Sequence, residues 1–192
     1  MGVKVKAKKC KICKEMFTPG FCSTQIVCSY ICALEHAKKD TDKKQKAKDN
    51  KWKKDNKPLN TLKSEAQKAV NEYVRYRDKD ELCINESVAV AWNGNESDAA
   101  HFVSRAANNA MRFDLRNIHK STKKSNANQE KHIHAYRENL IERLGEDRFN
   151  KFEEDCKYWR THKRNFSKDY LERVKRIFRK KKRVLMKIRG DI

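Results

Sequence analysis

His, Asn and carboxylate side chains recur between residues 98 and 128, in a chain otherwise dominated by lysine. In chain order the candidates are Asp98, His101, Asn117, His119, Asn126 and Asn128. Carboxylate and amide oxygens suit a hard divalent ion such as Mg²⁺ or Mn²⁺. An imidazole with an unperturbed pKa of about 6.5 can accept a proton from water at neutral pH. Together these groups can hold one metal ion and one water molecule against a phosphodiester, the chemistry of metal-assisted hydrolysis.

A second reactive group consists of cysteines near the N-terminus. Cys10 and Cys13 form a C-x2-C pair, and Cys28 and Cys32 form a C-x3-C pair. Two such pairs complete a tetrahedral zinc site. Clustering at one end of a chain without a recognisable signal peptide favours a metal over disulfides. The spacing therefore predicts one structural Zn²⁺ held by these four cysteines, with no open position for catalysis.

Few apolar residues surround these cysteines. Phe17, Phe21 and Ile26 are expected to form a minimal apolar cluster, so metal binding would provide most of the folding free energy. Cys22 is a spare thiol, and His36 is a less favoured alternative ligand. The alternative to a zinc knuckle is a reduced, cysteine-rich tail.

Composition points to a polyanionic partner. The 192 residues include 47 Lys and Arg against 26 Asp and Glu, which gives a net charge of +21. Such a charge favours nucleic acid, with an acidic membrane surface as the competing partner. No apolar run approaches the roughly 18 residues of a membrane span, and the N-terminus lacks the apolar core of a signal peptide. We therefore expect a soluble, intracellular protein with no membrane partner.

Apolar residues spaced three and four apart predict helices on both sides of the central stretch. They recur over residues 59–74, 136–144, 149–159 and 170–178. The Lys-rich segment 38–57 is expected to be a solvated helix or a disordered tether, serving as a solubilising linker, a phosphate-tracking arm or both. The basic run 179–183 is expected to contact phosphate rather than only to solubilise a helix.

The central stretch itself predicts short strands over residues 88–92 and 98–103, separated by an Asn-Gly-Asn turn, and a helix over 121–130. Two strands and a helix around a His and an Asn are the layout of a ββα-metal nuclease of the HNH class. The expected fold is α+β and mostly helical. Its segments would be a zinc knuckle (1–37), a Lys-rich helical connector (38–58), a small HNH-like core (59–145) and basic C-terminal helices (146–192).

Several runs of the sequence resemble the NinG family of lambdoid phage recombination proteins, which includes a Holliday-junction endonuclease. The resemblance rests on the cysteine knuckle with Phe17 and Pro19, and on four further runs. These are Gln-Lys-Ala-Val-Asn at 67–71, Asp-Ala-Ala-His-Phe at 98–102, Arg-Phe-Asp-Leu-Arg-Asn-Ile-His-Lys at 112–120 and Tyr-Arg-Glu-Asn-Leu-Ile at 136–141.

The resemblance implies a metal-dependent endonuclease that nicks Holliday junctions or other branched DNA. By position, His101 is the expected general base and Asn117 the residue that orients it. Asp98 is the expected ligand of the catalytic ion, with Asn126 or Asn128 as a weaker partner, and His119 would bind metal or phosphate. Two symmetric nicks need two sites, so a homodimer is expected. Branched or double-stranded DNA and other phage recombination proteins are the expected partners, in the host cytoplasm.

The chain also departs from the family pattern. A second pair of C-x2-C motifs, which holds another zinc in the family, is here reduced to Cys83, Glu86, Thr122 and Ser125, so no second zinc is expected. Ala100 replaces a glycine, and Asn128 stands where a histidine is common. Residues three apart on a regular strand face opposite ways, so Asp98 and His101 would converge only across a bulge. The alternatives are therefore a DNA-binding recombination accessory without cleavage and a basic zinc-ribbon factor for transcription or packaging.

Overall fold

A computed structural model describes residues 6–192 and divides into two compact units, Met1–Lys57 and Pro58–Ile192. The architecture is mostly helical, with one small antiparallel sheet in each unit. No helix within residues 6–192 is both long and apolar enough to cross a membrane.

The first unit is a two-stranded hairpin followed by one long helix. Strand β1 (Lys8–Lys9) pairs with β2 (Met16–Phe17), and helix α1 covers Tyr30–Asp55. Ser29 caps α1 by accepting a hydrogen bond from the Cys32 backbone N–H at 3.3 Å. Of the two states expected for the Lys-rich connector, the structure has the helix. The boundary predicted at residue 37 falls inside α1.

The apolar cluster expected around the cysteines does not form. Phe21 is 96% exposed and Ile26 is 38% exposed, so neither packs into a core. The prediction was wrong for these two residues because the segment between the cysteine pairs is mostly exposed and gives them no surface to pack on; Phe17, on β2, is half-buried. Burial of apolar side chains therefore contributes little to the stability of this unit.

The second unit contains the remaining elements. They are α2 (Leu59–Arg77), β3 (Ser97–His101), β4 (Ile118–Thr122), α3 (Lys123–Ala127), α4 (Ile133–Leu144), α5 (Glu146–Thr161) and α6 (Lys168–Ile188). Short 3₁₀ helices cover Asn109–Phe113 and Gln129–His132. The helix predicted over 121–130 is thus shorter, because the chain changes to a 3₁₀ turn after α3.

The β3–β4 sheet separates two hydrophobic clusters. The strands are antiparallel, with Ala99 opposite Lys120 and Ala100 opposite His119. Side chains alternate between the two faces of a sheet. Ala99 accordingly packs with α2 and α6 in one cluster, and Ala100 packs with α4 and α5 in the other. A strand of only five residues can therefore place candidate functional side chains on both faces of the sheet.

The strand predicted over residues 88–92 is absent. The backbone turns after Cys83, whose N–H donates to the Val88 carbonyl at 2.7 Å, and Ser87 has a φ of 52°. Val88 remains 45% exposed, so this segment has neither a strand partner nor a buried face. The turn predicted at 93–95 is present.

Candidate functional site

The four N-terminal cysteines converge as their spacing predicts. Cys10 and Cys13 lie in the turn between β1 and β2, and Cys32 lies in the first turn of α1. The four Sγ atoms are within 4.8 Å of one another, with 3.4 Å between Cys13 and Cys28. Zinc–sulfur bonds of about 2.3 Å in a tetrahedron place sulfurs about 3.8 Å apart. The cluster can therefore hold a metal ion, and its dimensions fit zinc.

Local hydrogen bonding favours the thiolate form of one of these cysteines, Cys10. Burial opposes ionisation of Cys10, but the backbone N–H groups of Ile12 and Cys28 donate to its sulfur and lower its pKa to about 6. A thiolate is the form that binds metal. Cys22 is exposed and lies outside the cluster, as does His36.

His101 is buried at the end of β3, where one ring nitrogen is fixed by the backbone. Its Nε2 lies 3.1 Å from the Arg112 carbonyl oxygen and 3.4 Å from Nε2 of Gln67. A carbonyl only accepts, so Nε2 carries the hydrogen, and the lone pair of the neutral ring lies on Nδ1. Burial lowers the His101 pKa to about 4, against the opposing effects of the Arg112 carbonyl and Asp98. The ring is therefore neutral at pH 7.

Asn117 does not contact His101 through its side chain. Its Oδ1 accepts from the Val103 N–H at 2.7 Å, and its Nδ2 donates to the carbonyls of Val103 and Met111 at 3.0 and 3.1 Å. These bonds hold both ends of the loop between β3 and β4. The Arg112 carbonyl that binds His101 follows Met111 in this loop, so Asn117 positions the histidine only indirectly.

Asp98 and Asn126 are brought together across β3 and α3. The Asn126 Nδ2 donates to Oδ2 of Asp98 at 2.6 Å, and Oδ1 of Asp98 accepts from the Ala99 N–H at 2.7 Å. Gln129 donates to the carbonyls of His101 and Phe102, which ties the segment after α3 to the end of the same strand. Strand β3 has no bulge, however, so Asp98 and His101 project to opposite faces of the sheet.

Two predicted site residues lie elsewhere. Asn128 is exposed and donates back to the Lys124 carbonyl at 3.0 Å, so its side chain closes α3. His119 is buried on the Ala100 face, with Nδ1 3.4 Å from the Tyr136 hydroxyl. Burial lowers the His119 pKa to about 3. Its position among packed side chains is typical of a structural histidine.

His119 lines a cleft of about 670 Å³ together with four arginines. These are Arg77, Arg116, Arg143 and Arg148. Arg77 is paired with Asp78, Arg116 with Asp114 and Asp155, and Arg143 with Asp78 and Glu81. Three of the four positive charges are therefore already compensated within the protein. For His119 to bind phosphate as predicted, the phosphate would therefore have to enter this cleft.

The four positions at which the resemblance implies a second cysteine clamp lie side by side. Cys83 Sγ accepts from the Thr122 N–H at 3.3 Å and lies 3.7 Å from the Ser125 hydroxyl. Thr122 in turn contacts Glu86 at 3.4 Å and bonds to Ser125. Hydrogen bonds thus join the 83–86 turn to the start of α3. Cys83 and Glu86 belong to no metal-ligand cluster within residues 6–192.

A basic cleft of about 360 Å³ opens beside Asp98. Its cations are Lys68, Arg75, Arg105 and Lys123. They outnumber its carboxylates, those of Glu72 and Asp98, so the cleft favours an anionic ligand. Gln67 also lines it, and its buried Oε1 has no hydrogen-bond partner within residues 6–192.

Three contacts of His101 were missed at the sequence level: the Gln67 side chain, the Arg112 carbonyl and the Gln129 side chain. The only available signal was Gln67, a polar residue among the buried positions of α2. A backbone carbonyl carries no signature in the sequence, and Gln129 lies on a short element that side-chain periodicity does not reveal.

Comparison with known proteins identifies the family. A family model described as "Bacteriophage Lambda NinG protein" matches residues 3–187. The chain is 34% identical to Protein ninG of Enterobacteria phage H19B over 164 residues, which cover 76% of this chain and 80% of that protein. It is 32% identical to Protein ninG of Salmonella phage P22, over 88% of this chain and 92% of that protein.

Protein ninG of Escherichia phage lambda is 31% identical, over 80% of this chain and 83% of that protein. No solved structure matches the chain. Since the family model covers nearly the whole chain, and relatives above 30% identity align over most of it, the protein belongs to the NinG family.

Proposed function

We propose that this protein is a structure-selective DNA endonuclease of phage recombination, which nicks Holliday junctions or other branched DNA by metal-assisted phosphodiester hydrolysis. The observation that carries the proposal is the state of His101. Its ring is neutral, its Nε2 is fixed by the Arg112 carbonyl, and its Nδ1 has no hydrogen-bond partner within residues 6–192. A neutral histidine held in this way leaves Nδ1 free to accept a proton from water, and its low pKa makes it a weaker base than a free imidazole.

The order of elements supports the same reaction. Strands β3 and β4 are followed directly by α3, and α3 contacts both strands. This is the order expected for a ββα-metal nuclease, in which a strand supplies the base and the helix supplies a metal ligand. Here β3 carries Asp98 and His101, and α3 carries Asn126.

Asp98 and Asn126 would hold the divalent ion, Mg²⁺ or Mn²⁺. Their donor set fits a hard ion, because the Asp98 carboxylate and the Asn126 amide oxygen are both oxygen ligands. Two protein ligands are few, which suits an ion that keeps several waters and also binds the substrate phosphate. When bound, the ion would neutralise charge on the scissile phosphate and the leaving oxygen.

The cations beside Asp98 would bring the DNA backbone to this site. Lys68, Arg105 and Lys123 line the basic cleft, and contacts of this kind bind phosphate without reading sequence. Selection would then depend on the shape of the branch. Two symmetric nicks require two sites, so the active form on a junction would be a homodimer.

The test is a nicking assay on a synthetic four-way junction with Mg²⁺ or Mn²⁺. We expect the wild type to nick it, and His101→Ala to lower the rate by about a hundredfold to ten-thousandfold, as for loss of a general base. His134→Ala is the matched control, since His134 is exposed on α4 and should nick at the wild-type rate. Equal rates for His101→Ala and the wild type would refute the assignment of the base.

A second candidate is a DNA-binding recombination accessory that does not cleave. Two features favour this candidate. Asp98 and His101 lie on opposite faces of the sheet, and Asn128 is exposed. Together they leave few ligands for an ion. Binding of the junction without nicking at any divalent ion would support this reading. Preference for one linear duplex sequence would instead support a zinc-ribbon factor for transcription or packaging.

A further inference from the structure

Aromatic rings and basic residues alternate at the end of α5 and in the turn that follows. Residues 157–168 contain five Lys and Arg and no Asp or Glu. Within this segment the rings of Tyr158 and His162 stack, with centroids 4.0 Å apart and planes 11° from parallel. Both residues are exposed, and Tyr158 keeps 54% of its accessible surface. The nuclease site proposed above uses neither ring.

The stack is fixed before any ligand binds. Nδ1 of His162 lies 2.8 Å from the Tyr158 carbonyl oxygen, and because a carbonyl only accepts, Nδ1 donates. The His162 backbone N–H bonds to the same carbonyl at 3.2 Å, where α5 ends. Since both rings are already oriented, a ligand that stacks on them loses less conformational entropy than one that must order a mobile side chain.

The surrounding charge is uncompensated. The acidic residues in the second half of α5 are paired with cations: Glu153 with Arg137, Glu154 with Lys151, and Asp155 with Arg116. By contrast, Lys157, Arg160 and Lys163 are exposed and form no ion pair within residues 6–192. This end of α5 therefore presents positive charge beside an open aromatic face.

The segment also adjoins the proposed nuclease site. Arg160 lines a cleft of about 830 Å³ that is lined as well by Asn126 and Gln129, which bond to Asp98 and to the end of β3. In the same segment, the Arg164 guanidinium lies 5.5 Å from the Trp159 ring centroid, and the Asn109 side chain donates to the Arg164 carbonyl at 3.5 Å. A strand bound along residues 157–164 would thus lead into the cleft beside Asn126.

We propose that Tyr158 and His162 form a stacking platform for an unpaired base of branched DNA, and that Lys157, Arg160 and Lys163 bind the adjacent phosphates. The identity of the ligand as DNA rests on the proposed function. Every base has a π-face, so stacking on aromatic side chains tolerates any sequence, whereas a base pair inside a duplex offers no free face. The platform would therefore distinguish an open branch point from continuous duplex.

The experiment compares two DNA probes by fluorescence anisotropy, with the full chain and no added divalent ion. One probe is a labelled dT oligonucleotide, and the other is a hairpin duplex closed by a non-nucleotide linker, with the same number of phosphates and no unpaired base. Tyr158→Leu keeps an apolar side chain but removes the π-face, and Tyr158→Phe keeps both. We expect Tyr158→Leu to weaken dT binding by about fivefold to a hundredfold, as for loss of one stacked base. Its affinity for the hairpin, and both affinities of Tyr158→Phe, should stay within about twofold of wild type, the variation expected away from a stacking contact.

Three outcomes would overturn the inference: unchanged dT binding by Tyr158→Leu, an equal loss on the dT and hairpin probes, or tighter binding of a matched oligo(U), which would assign the platform to RNA. An unchanged melting temperature of the exposed Tyr158→Leu variant checks its fold. Because binding is measured without nicking, the two proposals fail separately. Selective loss on dT with no nicking by the wild type would support the platform and refute the nuclease.

Discussion

The two units of this protein are both basic but depend on different interactions. In the first unit, Phe21, Ile31 and Trp52 are exposed, and the convergence of four cysteines is the main long-range feature. In the second unit, two hydrophobic clusters lie on opposite faces of a five-residue strand pair. The first unit therefore has a cysteine cluster that can hold a metal ion in place of an apolar core, whereas the second unit buries apolar side chains. Each arrangement predicts a different response to mutation.

Loss of a cysteine ligand should have the largest effect. Structural zinc contributes about 10–16 kcal/mol of apparent binding free energy in comparable small sites. A unit without an apolar core is not expected to stay folded after losing that much free energy. We expect Cys28→Ser to release the metal and to remove hydrogen-exchange protection from residues 6–29, while the second unit keeps its protection. Elemental analysis should give about one zinc per wild-type chain.

Cys22→Ser is the matched control, since Cys22 is exposed and outside the cluster. It should bind as much zinc as the wild type. Loss of protection throughout the second unit of Cys28→Ser would contradict the separation of the two folding mechanisms, and two zincs per chain would contradict the loss of the second clamp.

A core truncation should have the next largest effect, and only in the second unit. Leu140 is fully buried in the cluster with Tyr136 and Phe152. Leu140→Ala leaves a cavity and should lower the free energy of unfolding by about 2–5 kcal/mol, measured by urea denaturation. Leu34→Ala, at a position 55% exposed on α1, is the comparison and should change it by less than about 0.5 kcal/mol. Comparable losses would show that the first unit also depends on apolar packing.

Acidification should weaken the second unit before carboxylates titrate. The folded-state pKa values of His119 and His101 are about 3 and about 4, below the usual histidine value of about 6.5. At a pH between these folded-state values and about 6.5, the unfolded state therefore binds more protons than the folded state. Stability contributed by the two neutral rings is complete above pH 6.5 and is lost as pH falls. Each should contribute a slope of about 1 kcal/mol per pH unit between about pH 6 and 4.5.

The charges around His119 support this sign. Burial is the main cause of its low pKa, the nearby Arg77 and Arg143 also disfavour protonation, and Asp78 opposes them. The Asp78 pKa is itself lowered, so protonation of Asp78 destabilises the second unit only at a more acid pH. Urea denaturation from pH 7 to 4.5 should give a shallower slope for His119→Gln than for His134→Gln, whose histidine is exposed. Equal slopes would place the titrating group elsewhere.

The smallest effects are expected at two helix caps, one in each unit. Thr122 accepts from the Ser125 N–H at 3.1 Å, and Ser29 accepts from the Cys32 N–H at 3.3 Å. Each substitution by alanine should cost about 1 kcal/mol. Thr122→Ala should lower the free energy of unfolding of the second unit, measured by urea denaturation. Ser29→Ala should bind zinc roughly fivefold more weakly. Weaker zinc binding by Thr122→Ala would contradict the independence of the two units.

Local patterns in the sequence predicted much of the fold. The spacing of the apolar residues in α2, α4, α5 and α6 predicted their buried faces, because helical periodicity is a short-range property. The predicted strand at 88–92 failed for the opposite reason, because a strand needs a partner and its pattern does not say where one lies. The predicted apolar cluster around Phe21 failed because apolar character alone provides no second surface.

The candidate site was predicted in its residue types but not in its contacts. Asp98 was expected to hold an ion together with Asn126 or Asn128, and in the structure the Asn126 Nδ2 donates directly to the Asp98 carboxylate at 2.6 Å. Asn117 was expected at His101 but holds the surrounding loop, while the Arg112 carbonyl binds the ring. His119 lies on the opposite face from His101, a consequence of the β3–β4 register.

The sequence by itself determined the four-cysteine cluster, the helical faces and the net charge, since each depends on residue type and short spacing. The tertiary structure alone decided which atom orients His101, which face His119 occupies and how the aromatic end of α5 adjoins the cleft beside Asn126. Those features depend on strand register and on backbone carbonyls. Neither is written in side-chain identity, because every residue carries the same carbonyl and register is set by packing across long sequence separations.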